Sequence, residues 1–430
     1  MSRFALVGLA VALTMGAVPP SADARRVRPD PTFGGGRGWL TTRIPGSSPV
    51  AYGAAVLRDR RIVIAGQATA PDGSNSQILV VRYRRDGRLD RTFGSRGIFK
   101  TALPAAAGPF LATSVVPERS TGRLLIGGGY GQDSMLVLRL TAAGRLDRTF
   151  GRNRAGLASV PAGGIANSLA IQPGGGILLG GSNANGPGRP MVVARFTRHG
   201  RLDRRFGQGG LVQAMFWNPN LAFSSGVSGL ATTLDGGVIA SGHLDYGYGS
   251  AGVFRLSSRG RFVRSFGTGG HVEVKFSDPG ARSGFAQWFP CAMTVDARGR
   301  ITVTGDGSIG ATNALLSTRL RRRGALDRSF GKARNGRVVT PGLLSGDDTT
   351  CGATASAAGS LIVGVGSNLV KLRPNGAPNH GFAHRGVLAI GKPPQVNINA
   401  VARSGSRRVV LAGVAGNRLY VARYVRPPRR

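Results

Sequence analysis

The phrase GRLDRTFG fills residues 87–94 and returns letter for letter at 144–151. Variants stand at 200–207 (GRLDRRFG), 260–267 (GRFVRSFG) and 324–331 (GALDRSFG), with weaker copies at 28–34 (RPDPTFG) and 376–383 (GAPNHGFA). Their phenylalanines are Phe33, Phe93, Phe150, Phe206, Phe266, Phe330 and Phe382, at intervals of 60, 57, 56, 60, 64 and 52 residues. A period of this length across the whole chain restricts the fold to repeated supersecondary units packed against one another.

One repeat, residues 108–161, holds four short apolar stretches (LATSVV, RLLIG, SMLVLRL and GLASV) separated by Gly-rich or polar turns. None has helical period or length, so all four read as strands. Four strands in a repeat of this size match a propeller blade. The second strand is written seven times, starting with RIVIAG at 61–66 and ending with RVVLAG at 408–413. The third carries a cation before an apolar residue each time, from Arg82-Tyr83 through Lys371-Leu372 to Arg423-Tyr424. GRLDRTFG falls between the third and fourth strands. Its Gly permits the turn. Its Asp can accept local backbone N–H bonds and pair with the nearby Arg. Its Phe is placed to wedge between blades. These roles are structural, and an active site used seven times around a ring has no evident use.

The predicted fold is all-β, a seven-bladed propeller with four-stranded blades. After LYVARYV at 419–425 no fourth strand follows, and residues 34–44 supply one with nothing ahead of it. The N-terminal strand should complete the blade formed by 395–425, leaving no open edge at the seam.

The segments RRIVIAG (60–66), VVRYRRDGRLDRTFG (80–94) and VLRLTAAGRLDRTFG (137–151) resemble the delta-60 repeat family of predicted β-propellers. The resemblance covers nearly all of the chain after residue 24. It implies the propeller fold and an exported bacterial setting, and it brings no catalytic residues. Val263 in place of Asp, and GAPNHGFA in place of the full phrase, depart from the pattern.

Residues 1–24 read as a secretory signal peptide: Arg3, an uncharged and mostly apolar run over 4–18, and the small-x-small site Ala22-Asp23-Ala24. The run is short for a membrane span. The expectation is cleavage near Ala24, leaving residues 25–430 as a single propeller, secreted or in the cell envelope, with no membrane span. The net charge is +38. It is spread over every repeat, either as a polyanion-binding property or as a solvated basic surface. Charge alone gives weak, non-specific polyanion binding at low salt.

With the first strand innermost, loops leaving strands two and four lie at one end of the ring, here the top. Variable loops on a rigid scaffold are where function tends to sit. Three stand out: 214–226, 242–252 and 277–290, around blades 4 and 5. The candidate ligand-binding residues there are Phe216, Trp217, His243, Asp245, Tyr246, Tyr248, Trp288 and Phe289, with Phe223 and Phe285 nearby. Aromatic rings beside polar groups suit a glycan or a protein partner. The same rings could equally form a small satellite core.

Cys291 and Cys351 hold the same register of the innermost strand in adjacent blades. Tyr52, Ser114, Asn167, Ser228 and Asn399 are their counterparts. Neighbouring points of seven on a circle of roughly 7 Å radius lie about 6 Å apart, within disulfide range. Export supplies an oxidising setting, so a Cys291–Cys351 bond is predicted, and no metal site or cofactor. No G-x-S-x-G, H-E-x-x-H, C-x-x-C, P-loop or EF-hand loop occurs. The preferred reading is a non-enzymatic binding scaffold. The alternative is a hydrolase or lyase at the top mouth of the channel, requiring His243, Asp245 and Asp347 or Asp348 to converge.

Overall fold

In the computed structural model the described residues are 27–73, 76–101, 110–130, 134–160, 164–183, 190–216, 225–245, 249–277, 286–342, 351–391, 393 and 396–426. The expected leader, residues 1–24, lies outside them. The chain forms seven antiparallel sheets in a ring. Blade 1 runs outward through Ser48–Val56, Ile62–Thr69, Ser76–Tyr83 and Ile98–Thr101, and blades 2 to 6 repeat that order. The first strands of consecutive blades pack side by side. Val396–Ser404 of blade 7 returns to Ser48–Val56 of blade 1, so these strands ring the central channel.

Burial follows from position. The innermost strand of blade 1 alternates buried and half-buried residues, since one face of its pleat meets the channel. The second and third strands are almost continuously buried, because both faces of a blade are covered by its neighbours. That is why these segments read as unbroken runs of Val, Ile and Leu. Among the described residues the core consists of seven clusters, one per seam. The seam between blades 1 and 2, for example, joins Val63, Val80 and Phe93 to Leu124, Leu136 and Leu138.

Blade 7 is closed by the N-terminal segment. Trp39–Thr42 pairs antiparallel with Leu419–Val425, Trp39 opposite Ala422 and Thr42 opposite Leu419. The strand is shorter than the expected 34–44. A second short strand, Arg28–Pro29, joins the same edge with Arg28 opposite Val425. Residues between the two form the turn, in which Gly34 and Gly38 have positive φ.

The repeated phrase is a clasp between blades. In blade 1, Arg82 Nε donates to Asp90 Oδ2 at 2.8 Å and Nη2 to Thr92 Oγ1 at 3.2 Å. Its Nη1 reaches across the seam to the carbonyl of Ala142 in blade 2. The guanidinium lies 4.5 Å from the centroid of Phe93, which is fully buried. Gly94 N–H then donates to the Ala143 carbonyl at 2.8 Å, again across the seam. The opening Gly of the next copy completes the contact. Gly144 has φ +75°, and a Cβ there would fall 2.6 Å from the Phe93 ring. The G of one copy thus makes room for the F of the previous one. Arg139–Asp147 and Arg319–Asp327 repeat the ion pair at 2.8 Å.

The two departures from the phrase leave gaps in this pattern. With Val263 in place of the carboxylate, Arg255 Nε is buried without a partner among the described residues, and the nearest acid, Asp235, is 4.0 Å from Nη2. In blade 6, Asn379 takes the Asp position and Lys371 the Arg position. Lys371 lies over Phe382 at 5.3 Å, and among the described residues it forms no ion pair with a carboxylate.

Candidate functional site

Side chains lining the channel are aimed by β-bulges. The innermost strand shifts register at Tyr52, Thr113, Asn167, Ser228, Cys291 and Asn399. A bulge places one extra residue on a strand and re-aims its side chain. Three of these bridge to the next blade. Thr113 Oγ1 donates to the Ala166 carbonyl at 2.5 Å, Ser228 Oγ to Pro290 at 2.9 Å, and Asn399 Nδ2 to Ala51 at 2.7 Å. Each acceptor directly precedes the bulge residue of the neighbouring strand. Cys291 makes the corresponding link covalently. It is bonded to Cys351, the first residue of the next innermost strand, with 5.7 Å between Cα atoms. One register assignment is corrected. The bulge residue of blade 2 is Thr113, not Ser114, because the turn Glu118–Arg123 is one residue longer than its counterparts.

At the top of blades 4 and 5 the described candidates separate into two groups. Trp288 is fully buried and meets Phe276 edge-on at 4.8 Å. Phe216 is also buried, 5.3 Å from the His271 ring and 6.3 Å from Phe254. Both belong to the seam packing on either side of blade 4. His243 and Phe289 are only half-buried, and their rings lie 5.0 Å apart across the seam between blades 4 and 5. His243 sits near the top of its strand, opposite Gly226 and Ala251, and Phe289 near the top of its own, opposite Asp306. Trp217, Tyr246 and Tyr248, with Phe223, Phe285, Asp347 and Asp348, lie outside the described residues, and Asp245 is described by its backbone alone.

The electrostatics of the lower turns are those of a scaffold. Burial acts to raise the Asp30 carboxyl, but hydrogen bonds from Arg408 and Thr32 and the Arg423 charge outweigh it and hold it at about 2. Asp90 is held at about 2 in the same way, by Thr92, Arg61 and Arg82 against its burial. Such carboxylates stay ionised and bonded, and have no proton to exchange near neutral pH. Lys371 is lowered to about 8, first by burial and then by the charges of Arg426 and Arg403.

Residues 57–93 match a family model described as a domain of unknown function (DUF5122) beta-propeller. No curated protein matches the chain. Among solved structures it is similar to Drosophila Semaphorin 2a, with a TM-score of 0.51 at 8% identity over 94% of this chain and 76% of that one. It is also similar to virginiamycin B lyase from Staphylococcus aureus, with a TM-score of 0.48 at 12% identity over 90% and 98%. Sqt1 from Chaetomium thermophilum gives 0.47 at 14% identity over 87% and 82%. At these identities the likeness is one of fold.

Proposed function

We propose that the protein is an exported, non-enzymatic propeller of the delta-60 repeat kind, which binds a protein or glycan partner at the top of blades 4 and 5. The observation that carries this reading is the His243–Phe289 pair. It puts a half-buried aromatic face beside an imidazole near the top of a seam, next to the fully buried Trp288 in sequence. Trp217, Tyr246 and Tyr248 belong to the loops that flank this pair in sequence. An aromatic face with a polar rim suits a sugar ring or a partner side chain. Export rests on the leader-like residues 1–24 and agrees with the disulfide.

The test is a glycan and peptide binding screen at physiological salt, comparing the unaltered protein with a His243→Ala/Phe289→Ala variant and with Trp217→Ala. Binding that is retained in high salt and lost in both variants is the expected result. Binding that both variants leave unchanged removes the site from the top of blades 4 and 5.

A further inference from the structure

The arginines that are scattered along the sequence are not scattered in space. In every blade the first–second and third–fourth turns lie at one end of the ring, opposite the top loops. Hydrogen bonds between neighbouring turns, such as Gly151 N–H to His199 and Gly207 N–H to Arg259, hold them level. Among the described residues, every exposed lysine or arginine except Arg43, Lys100 and Arg418 lies in or beside these turns. Arg84, Arg85 and Arg88 form one cluster and Arg321, Arg322 and Arg323 another, with further cations in the turns between them. Most acids at this end are engaged; the half-buried Asp86 and the exposed Asp235 lie 3.9 and 4.0 Å from Arg88 and Arg255. Asp30, Asp90, Asp147 and Asp327 are buried against arginines, and Asp59 is paired with Arg61 at 2.6 Å. The basic surface continues up the side of blade 5. A groove of about 1280 Å³ there is lined by Arg328, Lys332, Arg334 and Arg337 and, among the described residues, by no carboxylate.

Among the described residues, two large apolar side chains stand exposed on this cationic face, both in blade 4. Leu234, at the tip of its turn, is fully exposed, and Phe262 is 38% exposed, close in sequence to Arg259, Arg261 and Arg264. A fully exposed leucine, beside Asp235 on an otherwise cationic face, gains nothing in water. It gains a place at a bilayer surface, where cations meet anionic headgroups and apolar tips enter the acyl boundary. A level face fits a plane over its whole width, whereas a cylindrical duplex touches only a strip. Single-stranded nucleic acid binders use successive aromatic platforms, and Phe262 is the one exposed aromatic among the described residues of this face.

We propose that the basic face docks the protein on a bilayer bearing anionic phosphate headgroups, with Leu234 entering the interface and the top loops of blades 4 and 5 turned away from it. This surface is separate from the one in the preceding proposal, and either can fail without the other.

The experiment is cosedimentation of the purified protein with vesicles of phosphatidylglycerol and phosphatidylcholine in equal parts. Pure phosphatidylcholine vesicles and a soluble DNA duplex are the comparison arms, at low salt and at about 0.5 M. The expected result is binding to the anionic vesicles alone among the two lipids, weakened by salt. Leu234→Asn, which removes the apolar tip without adding charge, should lower that affinity about tenfold while leaving duplex binding unchanged. Arg259→Glu/Arg261→Glu/Arg264→Glu should lower both. Leu234 is fully exposed, so its substitution leaves the fold intact, which an unchanged melting temperature verifies. Failure to bind the anionic vesicles at low salt overturns the proposal. So does vesicle binding that Leu234→Asn leaves unchanged, which would make the face a general polyanion surface.

Discussion

Arg423 Nε donates to Asp30 Oδ2 at 2.8 Å across a separation of 393 residues. The same bond at the same distance joins Arg82 to Asp90, eight residues apart. Arg423 also reaches Thr32 Oγ1 at 2.7 Å, the Arg85 carbonyl of blade 1, and the Phe33 ring at 4.8 Å. Each contact has its counterpart at Arg82. Residues near the start of the chain therefore supply to the last blade the turn that other blades write locally. Closing so long a loop costs only slowly growing entropy, and in return the seam has neither an open strand edge nor a buried unpaired guanidinium.

The interlock of G and F predicts unequal costs for glycine substitutions of similar backbone conformation. Gly46 has φ +63° and open space within 4 Å of where a methyl would stand, whereas Gly144 has φ +75° and a methyl there would meet Phe93 at 2.6 Å. Gly46→Ala should cost about 1 kcal/mol from the backbone alone. Gly144→Ala should cost about 2–3 kcal/mol more, because the seam must open. Urea unfolding midpoints of the two variants check this.

Val263→Asp should stabilise the protein. It offers a carboxylate to Arg255, whose Nε is buried without a partner among the described residues. A charge-assisted bond in place of an orphan donor is worth about 1–2 kcal/mol. The readout is a raised melting temperature, and the gain should vanish in an Arg255→Met background.

Stability should vary with pH on both sides of neutrality. Asp30 and Asp90 are held at about 2 in the folded protein, against about 3.9 when unfolded. Their contribution is fully present above the unfolded value and is lost as pH falls through the folded one. Lys371 behaves oppositely. Its folded value of about 8 lies below the ordinary 10.5, so the folded state holds its proton less tightly and stability rises between those two pH values. Denaturation midpoints followed across pH should show an acid loss that Asp90→Asn reduces, and an alkaline gain that Lys371→Met removes.

Trp288→Ala should weaken folding, by about 3–5 kcal/mol, since the indole is fully buried against Phe276. His243→Ala should leave the melting temperature nearly unchanged. Thermal unfolding of the two variants separates the core of this seam from its half-buried rim.

Much of the fold was legible because a propeller repeats its physics. Alternating turns and buried apolar runs gave the blades, and equal register in adjacent repeats gave Cys291–Cys351. Thr113 was missed because one additional turn residue shifts the count by one, and nothing in the letters marks where it is absorbed. The depth of Trp288 was not legible either, since an aromatic in a long segment reads the same whether it packs inward or outward. The one-sided charge was hidden for the opposite reason: regular spacing along the chain looks dispersed until the ring brings equivalent turns to one end.

The most direct measurement is a double-mutant cycle at the closure, combining Asp30→Ala and Arg423→Ala. Asp30→Ala strands the buried Arg423 guanidinium and should lose about 3–5 kcal/mol of unfolding free energy, whereas Arg423→Ala leaves Asp30 paired with Arg408 at 2.7 Å and should lose less. The double variant should recover part of that loss, giving a coupling of about 2 kcal/mol. Additive losses with no coupling, or an Asp30→Ala variant as stable as the unaltered protein, would contradict a ring held shut by this bond.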